Sequence, residues 1–277
     1  MNRVALVTGA TKGLGLALVD GLAARLDGTD TVYLTGRSQS RIEAARASLT
    51  PARARVLTEP MDVACDEAVA ETAARLADRH GSLDIVISNA YSRVLPGDRV
   101  TEVVDGYVAT NNLGTTRVLR AFAPILSDGG TLLVVASALG TLHYLAPVLH
   151  ERFDELETLE DVDASVIRWK EAVEDGSAFA EAWPAFVNIP SKIGQVSAVR
   201  TLARHRRASD LKRGILLASV APGLFDTGAS RPWFDMSNAQ TAAEAAVPLV
   251  DLALRSSLDQ SMYGELVAPG RVLPWKP

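Results

Sequence analysis

Three glycines close to the start of the chain constrain its fold more than any other feature of the sequence. Gly9, Gly13 and Gly15 follow the apolar run 4–7, and leucines at helical spacing begin among them, at positions 14, 18, 22 and 26. Glycine permits a sharp turn, a close approach of backbone N–H groups to a pyrophosphate, and close packing of a helix on the preceding strand. The segment therefore predicts a strand, a phosphate-binding loop and a helix start, although a plain strand, turn and helix could carry the same glycines.

Composition limits the classes of protein to which the chain can belong. With 277 residues, 48% of them hydrophobic, it can bury the core of one large α/β domain that spans residues 1–277. The formal net charge of −5 argues against a nucleic-acid partner, and the basic cluster at 200–213 is interpreted as a solvated helix end. The single cysteine, Cys65, excludes an internal disulfide and a cysteine metal cluster, so we expect no metal and a cytoplasmic location. No apolar run approaches the roughly 20 residues that span a bilayer, so we expect no membrane association.

The glycine spacing resembles that of a known family. Thr8-Gly9-x-x-x-Gly13-x-Gly15 is similar to the nucleotide-binding loop of short-chain dehydrogenases/reductases. The resemblance implies a doubly wound α/β fold, the Rossmann fold, with a mostly parallel sheet of about seven strands and a dinucleotide cofactor. It implies cofactor contacts from the following residues: Gly9, Lys12, Gly13, Leu14, Gly15, Arg37, Asp62, Val63, Asn89, Lys192, Pro222, Gly223 and Thr227.

A small residue followed by an arginine ends the second predicted strand, 31–35. Gly36 and Arg37 stand there without a neighbouring carboxylate. In this family an acidic residue at this point grips the ribose 2′-hydroxyl of NAD, whereas a small residue and an arginine favour the additional phosphate of NADP. A guanidinium fork suits a phosphate, and Lys12 could add positive charge to the same pocket. The sequence therefore predicts NADP(H) as the cofactor.

The resemblance also assigns candidate catalytic residues. Asn111 matches the asparagine that holds a water for the family's proton relay, and Ser137 matches the serine that hydrogen-bonds the substrate carbonyl. Ser137 closes the fifth predicted strand, 130–137. A departure occurs after the fourth predicted strand, where the family has Asn-Asn-Ala-Gly and this chain has Ser-Asn-Ala-Tyr. Tyr91 thus replaces a glycine beside the expected nicotinamide ribose and is a candidate for the substrate pocket.

A long insertion follows the serine. Residues 141–187 are too many for a connection between neighbouring α/β elements, so the segment needs structure of its own. Apolar residues at three- and four-residue steps predict a helix with one face on the domain; they are Phe153, Leu156, Leu159, Val162, Val166, Trp169 and Val173. Residues 151–175 carry ten acids and three bases, a net charge of −7. A helical insertion here, with Trp183 near its end, resembles the monomeric carbonyl reductase branch and implies a monomer, because the insertion would cover the surface through which other relatives associate.

The catalytic motif of the family is broken in this chain. Where the family has Tyr-x-x-x-Lys-x-Gly, this chain has Asn188, then Lys192 and Gly194, and none of its tyrosines has a lysine four residues later. In such enzymes the tyrosine, its pKa lowered by the lysine ammonium, donates a proton to the carbonyl oxygen as hydride arrives. Asparagine can donate a hydrogen bond but cannot titrate. We also expect Asn188 to cap the helix that carries Lys192, with Pro190 in its first turn.

The chain retains the serine and the lysine, Ser137 and Lys192, and lacks the tyrosine. This combination predicts an NADPH-dependent reductase of a conjugated or aromatic carbonyl compound, such as a quinone, an enone or a polyketide-like molecule. Reduction of such a substrate leaves a phenolate or an enolate, which is far less basic than an alkoxide. Its proton could come from water, from Ser137, or from His143 or Tyr144 just beyond. Two alternatives stay open, namely a redox-neutral cyclase or isomerase on a reductase fold, and a non-catalytic NADP-binding protein.

Overall fold

A single twisted sheet organises the protein, for which a computed structural model describes residues 2–226 and 230–277. Its strands are β1 (Val4–Val7), β2 (Thr31–Gly36), β3 (Arg55–Pro60), β4 (Leu83–Ser88), β5 (Leu126–Val135), β6 (Leu216–Val220), β7 (Leu266–Ala268) and β8 (Arg271–Leu273). Their order is β3-β2-β1-β4-β5-β6-β7-β8, with parallel pairing throughout except between β7 and β8. The predicted doubly wound fold is confirmed, and the eighth strand is a three-residue antiparallel edge too short to show periodicity.

Helices cover both faces of this sheet. They are α1 (Gly13–Arg25), α2 (Gln39–Ala47), α3 (Asp66–His80), α4 (Val100–Val108), α5 (Gly114–Phe122), α6 (Leu159–Asp175), α7 (Asn188–Lys212) and α8 (Ala242–Ala253). One hydrophobic core joins α1, α2 and α8 to the sheet, and the other joins α3, α4, α5 and α7 to the opposite face. Because both faces are covered, β1 and β2 are buried along their whole length. Among the described residues, no helix has the length and apolarity that a membrane crossing requires.

The insertion at 141–187 begins with two short 3-10 turns and continues as α6. The helix begins at Leu159 because Thr158 and Asp161 form a reciprocal capping box, so Phe153 and Leu156 lie before it rather than within it. The apolar face predicted for the helix is buried from Leu159 to Trp169, and α6 packs against α4 and α7. The sequence pattern therefore located the buried face correctly and the helix start too early, because apolar loop residues happened to share the same spacing.

The basic cluster at 200–213 lies along the second half of α7. Four of its arginines are paired with carboxylates: Arg200 with Glu265, Arg204 with Glu157, Arg206 with Asp210, and Arg213 with Asp128. The Arg206–Asp210 pair lies within α7, and the other three attach the second half of the helix to the strands and loops around it.

Candidate active site

The strand order changes direction between β1 and β4, and the space at the carboxyl ends of these two strands is called the crevice below. In doubly wound sheets, ligands bind at this point. Gly9 and Gly13 have positive φ angles of 62° and 56° in the loop after β1, which side chains disfavour. A Cβ on Gly9 would lie 2.6 Å from Ala90 Cα, and one on Gly15 would lie 2.5 Å from Asn89 Nδ2. The glycines therefore let the loop lie directly on the chain that follows β4.

Hydrogen bonds join the two loops at this crevice. The backbone N–H groups of Asn89 and Ala90 both donate to Thr8 Oγ1 at 2.9 Å. The Asn89 side chain donates to the carbonyl oxygens of Thr8 at 2.9 Å and Gly9 at 3.3 Å. Asn89, predicted to contact the cofactor, thus shapes the phosphate loop itself.

Three further residues predicted to bind the cofactor follow β1 and β2. Lys12 stands at the N-terminus of α1 and Arg37 just after β2, and both side chains are exposed. Leu14 is buried at the start of α1. The backbone N–H groups at the start of α1 have no partner within the helix. Together with the positive charges of Lys12 and Arg37, they make this end of the crevice favourable for phosphate groups.

Residues after β3 and β6 complete this set. Asp62 accepts a hydrogen bond from the Ala64 N–H group at 3.0 Å, and Val63 is buried against the helix residue Gly114. Pro222 is buried just after β6, and Gly223 has a φ of 86°. Thr227, predicted to bind the cofactor, lies outside the described residues.

Lys192 is the charged centre of the site. Its side chain is 9% exposed, and its Nζ donates to Gln195 Oε1 at 2.8 Å and to the Val135 carbonyl oxygen at 3.3 Å. Burial disfavours the ammonium form and lowers the pKa of Lys192 from 10.5 to about 7. The lysine is therefore held at the end of β5, close to the turn that contains Ser137.

Ser137 begins that turn and is half-buried. Its Oγ accepts a hydrogen bond from the Leu139 N–H group at 3.3 Å, and its carbonyl oxygen accepts one from Gly140 at 2.9 Å. A Cβ on Gly140 would lie 2.9 Å from the Lys192 carbonyl oxygen and 2.7 Å from Val196. The glycine thus allows the serine turn to rest on the first turns of α7.

Asn111 lies in a π-helical turn, Ala109–Leu113, between α4 and α5. Its side chain accepts from the Ser92 N–H group at 2.7 Å and donates to the Ser92 carbonyl oxygen at 3.0 Å. Its own carbonyl oxygen accepts a hydrogen bond from Gln195 Nε2 at 2.9 Å. Gln195 therefore bridges Asn111 and Lys192 through its side-chain amide. Sequence reasoning missed Gln195, although its position three residues after Lys192 puts the two on one helix face.

Asn188 does not cap α7, as its sequence position led us to expect. It is the first residue of the helix, with Val187 at the N-cap and no capping hydrogen bond from a side chain. Its Oδ1 instead accepts two phenol hydroxyls, Tyr91 at 2.7 Å and Tyr107 at 2.6 Å. The two phenols therefore bond to the side-chain oxygen that would accept a backbone N–H group if Asn188 were a helix cap. Pro190 does lie in the first turn, as predicted, where a backbone N–H group is not needed.

The two phenols differ in their access to solvent. Tyr107, which sequence reasoning missed, is 1% exposed, whereas Tyr91 is 39% exposed. Their rings meet edge to face, with centroids 6.0 Å apart, and Lys192 Nζ lies 5.1 Å from the centroid of the Tyr91 ring. Burial is the largest influence on both hydroxyls, and it raises the pKa of Tyr91 and, more strongly, that of Tyr107. Both phenols are therefore protonated at neutral pH.

The remaining substrate-pocket candidates are not joined to this cluster. His143 and Tyr144 are exposed and stack edge to face on each other, with centroids 5.5 Å apart. Trp183 is 4% exposed, packs its ring against Phe153 and lies under the Arg152 guanidinium. Trp183 is thus part of the packing of the insertion.

The fold and site together are those of a dinucleotide-dependent oxidoreductase with a doubly wound sheet. The sequence model described as short chain dehydrogenase matches residues 3–148, more than half of the chain. The chain belongs to the short-chain dehydrogenase/reductase family, and this membership implies NAD(P)(H) as cofactor.

Within this family, the chain is similar to carbonyl reductases and to solved reductase structures. The chain is 30% identical over 281 residues to carbonyl reductase [NADPH] 3 of Rattus norvegicus, and 29% identical over 283 residues to carbonyl reductase [NADPH] 1 of Bos taurus; each alignment covers 99% of both chains. Menthone neomenthol reductase from Mentha piperita shares its fold, with a TM-score of 0.74 at 23% identity over 97% of this chain and 99% of that one. The resemblance to carbonyl reductases is thereby confirmed.

Proposed function

We propose that the protein is an NADPH-dependent reductase of conjugated or aromatic carbonyl compounds. The observation that carries the proposal is the cluster around residue 188, where an amide that cannot titrate stands beside a retained, buried lysine. Lys192 and Ser137 are the groups that a carbonyl reduction needs for positioning and polarisation. Asn188 indicates that the chemistry does not depend on an acid at that position.

The crevice fits a dinucleotide. Gly9 and Gly15 leave no space for a Cβ where the loop meets the chain after β4, so backbone N–H groups at the start of α1 stay accessible to a pyrophosphate. Lys12 and Arg37 would hold phosphate groups, and Lys192 would hold the nicotinamide ribose. When bound, NADPH supplies a hydride to the substrate carbon.

The groups of the chain act on the substrate oxygen. Ser137 donates a hydrogen bond that polarises the carbonyl, and Lys192 contributes its positive charge to the same region. Reduction of a quinone or an enone leaves a phenolate or enolate rather than an alkoxide. Such an oxygen needs hydrogen-bond donors around it more than a strong acid, which agrees with an amide at residue 188.

An aromatic cluster beside the crevice supports a flat, conjugated substrate. Phe186 packs against Trp233 and Phe234, with ring centroids 5.6 Å and 6.2 Å apart. Trp233 and Phe234 remain 38% and 44% exposed, so their rings offer free aromatic surface. Trp233 Nε1 donates to the Val94 carbonyl oxygen at 3.2 Å, which ties this cluster to the segment that begins with Tyr91.

A substrate panel tests the proposed function. Purified protein is incubated with NADPH and either quinones and conjugated enones or simple aliphatic ketones, and NADPH oxidation is followed by absorbance. We expect oxidation with the first group and at most slow oxidation with the second. Cofactor binding without oxidation by any compound would contradict a reductase and favour a redox-neutral or non-catalytic role.

Arg37 is expected to select the cofactor. NADPH should bind at least about tenfold tighter than NADH, because the guanidinium meets the 2′-phosphate without a neighbouring carboxylate. Arg37→Asp should reverse the order of the two affinities, measured by calorimetry. The matched control is Arg53→Asp, the same charge change at another exposed arginine, which should leave the order as it is. Equal affinities for NADPH and NADH in the unmodified protein would contradict this prediction.

We propose that the protein is a monomer. The insertion helix α6 packs on α4 and α7, and ion pairs link Lys170 to Asp105 of α4 at 2.8 Å and Asp163 to Arg120 of α5 at 2.7 Å. Light scattering should therefore give the mass of one 29.5 kDa chain. Phe179→Ser, which removes a side chain that is 91% exposed, controls for weak association through that residue. A stable dimer in both proteins would contradict the proposal.

A further inference from the structure

Two phenol hydroxyls converge on one amide oxygen in the site. Tyr91 and Tyr107 donate to Asn188 Oδ1 at 2.7 Å and 2.6 Å, and an amide oxygen has two lone pairs with which to accept both. The two tyrosines come from different places, Tyr91 from the loop after β4 and Tyr107 from α4. A phenol therefore stands next to residue 188, although residue 188 is not a tyrosine.

Only one of these phenols can meet a substrate. Tyr107 is 1% exposed and is enclosed by α4 and the residues around it, whereas Tyr91 is 39% exposed. Tyr91 directly follows Ala90, the residue on which the Gly9 loop lies, so it stands at the crevice itself. A ligand that enters the crevice can thus contact the Tyr91 side chain, whereas the Tyr107 side chain is enclosed.

The backbone on both sides of Tyr91 is held in place. Ala90 donates its N–H group to Thr8 Oγ1 at 2.9 Å, and Ser92 exchanges two hydrogen bonds with the Asn111 side chain at 2.7 Å and 3.0 Å. The Lys192 ammonium lies over the Tyr91 ring, 5.1 Å from its centroid. Tyr91 is thus positioned in advance, as a group that acts on a reacting atom needs to be.

We propose that Tyr91 is the catalytic residue whose hydroxyl hydrogen turns from Asn188 Oδ1 to the substrate carbonyl oxygen, to which it donates a hydrogen bond and then a proton. This assignment rests on the proposed function and names the donor that the amide at residue 188 cannot supply. As a carbon conjugated with the carbonyl gains hydride from a dihydronicotinamide dinucleotide, which is oxidised, the C=C π electrons shift toward the carbonyl and the C=O π electrons move to oxygen, which becomes an enolate or phenolate. The Tyr91 O–H bond breaks, an O–H bond forms on the product, and Tyr91 is left as a phenolate.

The phenolate regains its proton from water at the crevice mouth. On the interior side, the Gln195 side-chain amide lies between Lys192 and the Asn111 carbonyl oxygen, at 2.8 Å and 2.9 Å. An amide does not pass on protons as a water does. Burial raises the pKa of Tyr91, which keeps its hydroxyl protonated before the reaction.

Paired phenylalanine variants test the assignment by turnover. Tyr91→Phe and Tyr107→Phe each remove one hydroxyl from the same amide oxygen and retain the ring. With NADPH and a 1,4-naphthoquinone, Tyr91→Phe should lower kcat by about 10²-fold, as the loss of a donor to a developing oxyanion does. Tyr107→Phe should lower kcat by no more than about fivefold, since its hydroxyl cannot touch the substrate. Equal losses, or full activity of Tyr91→Phe, would overturn the assignment and leave the proposed function standing.

Binding provides a readout that needs no turnover. In the presence of NADP⁺, the 1,4-naphthoquinone can bind without being reduced, and its affinity is measured by calorimetry. Tyr91→Phe should weaken this binding about fivefold, the loss expected for one hydrogen bond, whereas Tyr107→Phe should not. If the unmodified protein binds the quinone but oxidises no NADPH, the proposed function fails, and this comparison still decides whether Tyr91 contacts the carbonyl oxygen. Unchanged binding in Tyr91→Phe, or no binding by the unmodified protein, would overturn the assignment.

Discussion

Replacing Lys192 with methionine is expected to lower kcat/KM by on the order of 10²–10³-fold, the usual loss when one charged or hydrogen-bonding group is removed from a reaction site. Methionine fills a similar volume, so the packing of α7 on β5 is largely retained. The charge near the substrate oxygen and the proposed contact to the nicotinamide ribose disappear. Steady-state kinetics with NADPH and a quinone measure this effect.

The same substitution should change how stability depends on pH. Burial lowers the pKa of Lys192 in the folded protein to about 7, whereas the unfolded chain keeps a value near 10.5. Between these two values the unfolded state binds more protons at this residue, so its contribution makes the free energy of unfolding rise with pH. Below about pH 7 the cost of the buried charge is fully present. Lys192→Met lacks this contribution.

Denaturant unfolding at about pH 7 and about pH 9.5 should therefore show a steeper rise in stability for the unmodified protein than for Lys192→Met. Lys212→Met is the matched control, because Lys212 is exposed on the same helix. It should leave the pH dependence unchanged. The burial argument would be wrong if the unmodified protein and Lys192→Met had the same pH dependence.

Asn188→Tyr is expected to lower both stability and activity, even though it restores the tyrosine of the family motif. Asn188 Oδ1 is the acceptor for Tyr91 and Tyr107, and the added ring would compete with both for space. Tyr107 is buried, so loss of its acceptor costs about 1–3 kcal/mol in the free energy of unfolding. Activity on quinones should fall or stay flat, and activity on simple ketones should not increase.

The double variant Tyr91→Gly/Asn188→Tyr is the informative comparison. It removes the phenol that would collide with the new ring and gives the loop after β4 the glycine that the family has there. We expect it to recover part of the stability that Asn188→Tyr loses, because the collision with the Tyr91 ring is removed. General acid catalysis typically contributes 10²–10⁴-fold, so a large gain on simple ketones in the single variant would be easy to detect and would refute the special-substrate argument.

The sequence alone determined the class of fold, and through the family resemblance it named candidate site residues. Three local patterns carried the fold prediction: the glycines of the first loop, the apolar strands and the apolar stripes of the helices. Each predicts its element because the backbone conformation there depends on residues that are close in sequence. The family resemblance named Ser137, Asn111 and Lys192 as candidates, and the structure brings Asn111 and Lys192 together through Gln195. The start of α6 was predicted too early, because periodicity does not distinguish a helix from an apolar loop before its cap.

The tertiary structure alone decided how residue 188 is used. Asn188 is 97 residues from Tyr91 and 81 from Tyr107, yet both hydroxyls bond to its side chain. Contacts between such distant residues leave no periodic signal in a sequence, because they depend on how α4, α7 and the loop after β4 pack. Local reasoning could predict only a helix cap for Asn188 and a crowding ring for Tyr91. The fold makes Asn188 the acceptor of two phenols and leaves one of them open to the crevice.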